Sequence, residues 1–308
     1  SAQMNSFITT LYPSVDLIDS VVFKDTNSEE NIYFSKPFLK AFEISNPQIE
    51  FKYISISDAD KNTLALALVQ VISLNVEGML KNIKVAPLVR KGLGLLFCNE
   101  HIKIMFCGNV FLSGEHGIST AETSSKKDIY SEIGTALDAV AANTKPMHAI
   151  FIKDFKLASL VHTQAFLNFG YSEIKVEPNM IIQLKPEWKT FEDYKNILKS
   201  KYRVKANKAD SKSSTLETRL FSDQDLETYK HELQALYQNT IDKASFNAQV
   251  LNLDTYSHLS ASLKDNFIVK GYFLENRLVG FLTALVNDNK LDAHFIGLDY
   301  ELNKSHAI

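Results

Sequence analysis

His294, Asp299 and Tyr300 fall within one short stretch near the C-terminus. An imidazole with a solution pKa of about 6.5 can take or relay a proton at neutral pH. A carboxylate can orient it, and a phenol can hand a proton to a leaving group. If 291–300 is a strand, alternation places Asp292, His294, Ile296 and Leu298 on one face and Ala293, Phe295, Gly297 and Asp299 on the other. His294 and Asp299 then share a face only where the strand bulges, and Gly297 between them is a residue type that allows it. The plain alternatives are a strand histidine hydrogen-bonded for structure and a tyrosine packed at a strand end.

A second group is cationic. Thr190 can cap a helix with Asp193 three residues on, as in a capping box, and the helical pattern runs to about residue 212. It carries Lys195, Lys199, Lys201, Arg203, Lys205, Lys208 and Lys212 against Asp210. Lys201, Lys205, Lys208 and Lys212 share one face, with Lys195, Lys199 and Arg203 beside them. Such a stripe is either a solvated surface or a seat for an anion: tRNA phosphates, a lipid-linked pyrophosphate or the phosphates of CoA. Arg203, whose fork can grip phosphate at two points, is the strongest anchor. The residues expected to bind such a ligand are Arg203, Lys201 and Lys205, joined by Asn303 and Gly297 at the end of the histidine strand.

Composition removes several other chemistries. A chain of 308 residues exceeds one ordinary domain, which favours two compact units. The net charge of −3 provides no global basic field for DNA, so any polyanion site must be local. Cys98 and Cys107 lie in one apolar stretch and read as buried thiols, too few for a disulfide framework or a four-cysteine zinc site. The histidines lack metal-ligand spacing, and Gly-x-Ser-x-Gly and Walker motifs do not occur. No metal and no tightly bound cofactor are expected. No run of about 18 apolar residues and no leader-like opening are present, so a cytoplasmic protein is expected. Glu115-His116, in a glycine-flanked loop, is either a substrate contact or a surface turn.

The elements that must position these groups follow from periodicity. Helices are expected over 36–44, 125–142 and 158–169, and strands over 49–57, 63–75, 94–110, 149–152 and 180–184. The segment 185–188 then punctuates the chain. Beyond it come the basic helix, a strand over 216–221, helices over 223–243 and 254–264, and strands over 267–274, 278–286 and 291–300. Glu275-Asn276-Arg277 and Asp288-Asn289 suit hairpin turns. Asn303 reads as the N-cap of a final helix that 308 leaves incomplete. The expected organisation is α/β of the α+β kind: a domain over 1–187 and a C-terminally truncated one over 188–308, each on a mixed, mostly antiparallel sheet.

The order β-α-α-β-β-β-α with consecutive antiparallel hairpins resembles the GNAT acyltransferase fold. Particular blocks resemble its Fem-like, peptidoglycan-biosynthesis-like branch. They are Lys201-Tyr202-Arg203-Val204-Lys205, Leu236-Tyr237 with Lys243-Ala244-Ser245-Phe246, Gly271-Tyr272-Phe273, Val279-Gly280-Phe281, and His294 to Tyr300 with Asn303-Lys304. In the first half, Asn31 to Ser35 and Cys107 to Phe111 with Gly114-Glu115 and Gly117 are similar to that branch too. The resemblance implies two tandem GNAT-like domains and transfer of an acyl or aminoacyl group to an amine. It implies acyl-CoA or aminoacyl-tRNA as donor and an amine-bearing acceptor such as a cell-wall precursor, with backbone N–H groups of the fourth strand as oxyanion donors. The chain departs from the GNAT pattern after that strand, where Tyr300-Glu301-Leu302-Asn303-Lys304 has no glycine-rich pyrophosphate loop. Arg90-Lys91-Gly92-Leu93-Gly94 has the wrong spacing and reads as a turn. A binding protein without catalysis, or an RNA-binding module using residues 195–212, are the rival functions.

Overall fold

A computed structural model of the protein describes residues 6–28, 30–75, 101–122, 125–173, 182–243 and 249–308. Cys98, the Arg90–Gly94 turn and Ala244-Ser245-Phe246 lie outside these residues. In chain order the elements are β1 (Ile8–Tyr12), α1 (Ser20–Asp25), α2 (Lys36–Ser45), β2 (Glu50–Ser57), β3 (Thr63–Asn75), β4 (His101–Cys107) and β5 (Ile118–Thr120). Next come α3 (Lys126–Asn143), β6 (Ala149–Ile152) and a mixed stretch of 3₁₀ and α turns over 157–169. The remainder is α4 (Phe191–Ile197), α5 (Ser200–Lys212), β7 (Glu217–Leu220), α6 (Asp223–Thr228), α7 (Lys230–Lys243), α8 (Asp254–Leu263), β8 (Phe267–Leu274), β9 (Arg277–Asn287), β10 (Lys290–Leu298) and α9 (Tyr300–His306). Among the described residues no helix is long and apolar enough to cross a membrane.

The protein is mixed α/β with two sheets, one six-stranded and mixed, one four-stranded and antiparallel. The compact units that hold them are not two consecutive stretches of chain. One comprises Ser1–Val176, Ala244–Asn266 and Val286–Asp292, the other Glu177–Lys243, Phe267–Leu285 and Ala293–Ile308.

In the first unit the sheet order is β1-β2-β3-β4-β6, with β5 also paired to β3. The β1–β4 neighbours are antiparallel, while β4 and β6 run parallel. Strand β3 is buried along most of its length, as a central strand covered on both faces must be. Ala65, Ala67, Val69 and Val71 pack with Met105, Cys107 and the Ile129, Ile133, Leu137 and Val140 stripe of α3. On its other face Leu66, Leu68 and Ile72 are equally buried. The late segment joins through Asn46, which has no solvent exposure. Its Nδ2 donates to Phe42 O (2.8 Å) and Thr255 Oγ1 (3.1 Å), and its Oδ1 accepts from Asn252 N (3.0 Å).

The second unit is an antiparallel meander in the order β10-β9-β8-β7. Burial alternates along β8, placing Phe267, Val269, Gly271 and Phe273 on the inner face. Leu233, Leu236 and Tyr237 of α7 are buried, and the Tyr237 ring meets Phe295 of β10 edge-on at 6.1 Å. The β8–β9 hairpin turns through Glu275 and Asn276, both at positive φ, the geometry such a sequence favours. A register shift falls at Tyr272/Phe273.

Several elements differ from the sequence expectation, among them the strand expected over 180–184, whose described residues 182–184 are not in a strand. The helix over 190–212 is two helices, parted at Leu198 and Lys199, and the helix over 223–243 breaks at Tyr229. The last helix starts at Tyr300, capped by Asp299 and not by Asn303, which lies inside it. Consequently β10 ends at Leu298.

Two outcomes follow for stability. At Gly297 an added Cβ would collide with Phe281 and lie 2.7–2.8 Å from backbone atoms of Leu236 and Tyr237. Gly297→Ala is expected to lower the unfolding free energy by about 1–3 kcal/mol, the usual cost of overpacking, measured by urea denaturation. Burial pushes the Cys107 thiol up to about 12 and raises the phenols of Tyr33, Tyr53 and Tyr130. The folded chain therefore holds protons that the unfolded chain releases above its own pKa values, about 8.5 for Cys and 10 for Tyr. That stabilisation is complete below pH ~8.5 and is lost as the pH climbs towards the folded values. Urea midpoints should fall between pH 8 and pH 11, and in a Cys98→Ser background Cys107 should stay unreactive to thiol reagents at pH 8 until the protein unfolds.

Candidate functional site

His294, Gly297, Asp299, Tyr300 and Asn303 lie along the end of β10 and the start of α9 in the second unit, while Lys201, Arg203 and Lys205 lie on α5. His294 is half-buried, and burial alternates without a break from His294 to Leu298. The bulge expected at Gly297 is not needed, because Asp299 has left the strand. Its Oδ1 accepts from Leu302 N (3.2 Å) as the helix cap, and its Oδ2 accepts from Arg277 Nη2 (2.7 Å). The carboxylate expected to orient His294 thus fixes the strand-to-helix corner and ties it to the β8–β9 turn. Gly297 likewise serves packing: without a side chain it lets the α7 backbone lie directly against β10. Tyr300 opens α9, with the Lys243 ammonium 3.8 Å from its ring centroid, a cation–π contact. Asn303 sits one turn further on, its N–H donating to Asp299 O (3.0 Å).

The basic group is arranged differently from its sequence reading. The capping box of α4 forms as expected, with the Asp193 carboxyl held below its usual range by the N–H groups of Lys189 and Thr190. Arg203, however, reaches back over the break. Its Nε donates to Lys195 O (3.3 Å) and its Nη2 to Asn196 O and Leu198 O (both 3.0 Å). These carbonyls lie at the C-terminus of α4, where Lys195 O also accepts from Leu198 N (3.1 Å) and a cation complements the helix dipole. Lys195 is buried and meets Glu192 (2.6 Å), Asp210 (2.7 Å) and Asn207 (3.0 Å). The Asp210 and Glu192 hydrogen bonds raise its pKa and keep it charged. Arg203 and Lys195 are therefore committed to joining α4 to α5. Lys201, Lys205, Lys208 and Lys212 remain at the surface of α5, a helix with no buried residue. Of these, Lys212 comes against α9, its Nζ 3.4 Å from Lys304 O.

Beneath α5 and α9 lies a cleft of about 360 Å³ on the outer face of the sheet. Thr218, Tyr272, Leu282, Ile296 and Leu298 form its floor, and Ser213, Leu216, Ala307 and Ile308 its sides. Burial raises the Tyr272 phenol. His294 lies two residues from Ile296 on the same strand face. The floor was implicit in the period-two pattern of β8 to β10, but the walls come from helix ends whose placement no periodicity encodes.

In the first unit, Glu115 accepts from Ser159 Oγ (2.8 Å) and Lys156 N (3.3 Å), pinning its loop. The His116 ring stacks on Tyr33 at 3.8 Å, and Tyr33 Oη donates to Asp292 Oδ2 (2.6 Å). Among the described residues no cluster of three or more His, Cys, Asp or Glu could hold a metal ion.

No protein-family model and no curated protein matches the chain. Among solved structures, a conserved protein of unknown function from Bacteroides thetaiotaomicron aligns with 99% of this chain and 83% of its own, at 10% identity and a TM-score of 0.46. Two mutant forms of the BH1408 protein from Bacillus halodurans align with 57% of this chain and 99% of theirs, at 10% identity and a TM-score of 0.36.

Replacing Arg203 by Gln should fray the α4 C-terminus and cost about 1 kcal/mol, the net value of a typical intramolecular hydrogen bond. Circular dichroism and urea denaturation would register the loss.

Proposed function

We propose that the protein is an N-acyltransferase of GNAT-like, Fem-like kind, using acyl-CoA or aminoacyl-tRNA as donor and an amine, such as that of a cell-wall precursor, as acceptor. The observation that carries this reading is the order of the second unit. Strand β7, helices α6 and α7 and, after a segment carrying α8 that belongs to the first unit, the antiparallel run β8-β9-β10 and then α9 are arranged around a single sheet. The unit's two helices between β7 and β8 arise from the break at Tyr229, not from 223–243 and 254–264 as the sequence suggests. The first unit supports it with a similar order, β1, α1 and α2, β2 to β5 and then α3, on its own sheet.

The chemistry asks little of the chain. A neutral amine attacks the carbonyl of the donor, the C–N bond forms and the C–S or C–O bond breaks. The nitrogen loses one proton, and the departing thiolate or alkoxide gains one. His294, half-buried on the open face of β10, is the group we assign to take the amine proton directly or through water. Asp299 holds the corner behind it rather than the imidazole. Tyr300, at the start of α9, is the nearby phenol able to protonate a leaving group.

Calorimetric titration with acetyl-CoA, combined with a thiol-release assay across a panel of primary amines, tests the reading. Saturable donor binding and amine-dependent thiol release are expected. His294→Ala should reduce kcat by about 10²–10⁴, the usual contribution of a general base. Absence of binding and turnover with both acyl-CoA and aminoacyl-tRNA would overturn it.

A second reading has one observation in its favour: α5 has no buried residue and its lysines outnumber its single acid. A module gripping RNA with Lys201, Lys205, Lys208 and Lys212 would lose affinity steeply between low and moderate salt, with a log–log slope near −0.7 per phosphate contact on a single strand. A flat salt response, or affinity unchanged by Lys205→Glu with Lys208→Glu, would dismiss it.

A further inference from the structure

The cleft under α5 and α9 says something about the acyl group itself. Its floor is largely aliphatic, with Leu282, Ile296 and Leu298 beside Tyr272 and Thr218. Its 360 Å³ is at the small end of ligand pockets and equals the liquid share of about a dozen waters at about 30 Å³ each. An acetyl group would leave most of that space unfilled, and water would gain few hydrogen bonds from such walls. Ile296 is 44% exposed, so the apolar floor reaches solvent at one side. At the edge stands Lys270, paired with Leu282 in the β8–β9 register, its Nζ 5.6 Å from the Tyr272 ring centroid. Along β10, His294 lies two residues from Ile296, about 6–7 Å at strand rise and on the same face. The outer face therefore runs from an apolar hollow to a cation and an imidazole.

We propose that this cleft holds the apolar tail of a medium-length acyl group, with its carbonyl end towards Lys270 and His294. The inference rests on the acyl-transfer reading and narrows it from any acyl donor to one with a chain of several carbons. The same chemistry could come from an acyl thioester or from a free carboxylic acid, and the two are separable.

Calorimetric titration of the full chain with octanoyl-CoA, acetyl-CoA and octanoate makes the test, with Ile296→Trp, which fills the hollow from its exposed side, and Thr218→Phe alongside. Thermal unfolding confirms that both variants fold. Octanoyl-CoA should bind about a hundredfold more tightly than acetyl-CoA, the gain expected if roughly half of the added methylenes leave water. Either substitution should erase that advantage, bringing octanoyl-CoA affinity down to that of acetyl-CoA. Equal affinity for the two thioesters, or an octanoyl advantage that survives both substitutions, would overturn the inference while leaving acyl transfer standing. Octanoate binding that both variants abolish, without binding of either thioester, would support the cleft and overturn the transferase reading.

Discussion

The second unit depends on how closely α7 approaches β10. With no side chain at Gly297, the backbone at Leu236 and Tyr237 comes within van der Waals distance of the strand, and Phe281 fills the remaining space. A helix held that near fixes which face of β10 is core. Phe295 and Gly297 are driven inward, so alternation turns His294, Ile296 and Leu298 outward. Among the described residues α5 and α9 cover the outer face in part, and the cleft lies beneath them.

The corner after β10 is fixed by two hydrogen bonds and an ion pair at one residue. Asp299 caps α9 and pairs with Arg277 across the β8–β9 turn. An exposed ion pair contributes little by itself, but here it coincides with a helix cap and a backbone bond from Asp299 N to Val279 O (2.9 Å). Three weak constraints on one residue decide where the strand stops and the helix starts. On the acyl-transfer reading, they also decide that Asp299 is spent on architecture and that His294 works without it.

Hydrogen-bond partners decide the cationic group in a similar way. Lys195 and Arg203 face the joint between α4 and α5, where carboxylates and helix-end carbonyls await donors, and they become structural. The lysines of α5 that point elsewhere stay hydrated. Charge count in sequence cannot separate these two kinds of cation, because the difference lies in what each meets across a helix break that no Pro or Gly announces.

Much of the chain is legible without coordinates. Strands β3 and β8 and the hairpin turn at Glu275-Asn276 follow from periodicity and turn chemistry, and the Thr190–Asp193 capping box from local hydrogen-bonding capacity. These are nearest-neighbour properties, so the sequence alone determines them. Strand β1 escaped, since an edge strand with Ile8 and Leu11 both half-exposed carries no burial pattern. So did the start of α9, where two good caps, Asp299 and Asn303, compete locally and the pairing with Arg277 favours the first. The bonds from Asn46 to Asn252 and Thr255, the close approach at Gly297 and the walls of the cleft belong to tertiary structure alone. Each joins residues far apart in the chain whose partners are chosen by the space left after the cores have packed, and no local pattern in either partner records that choice.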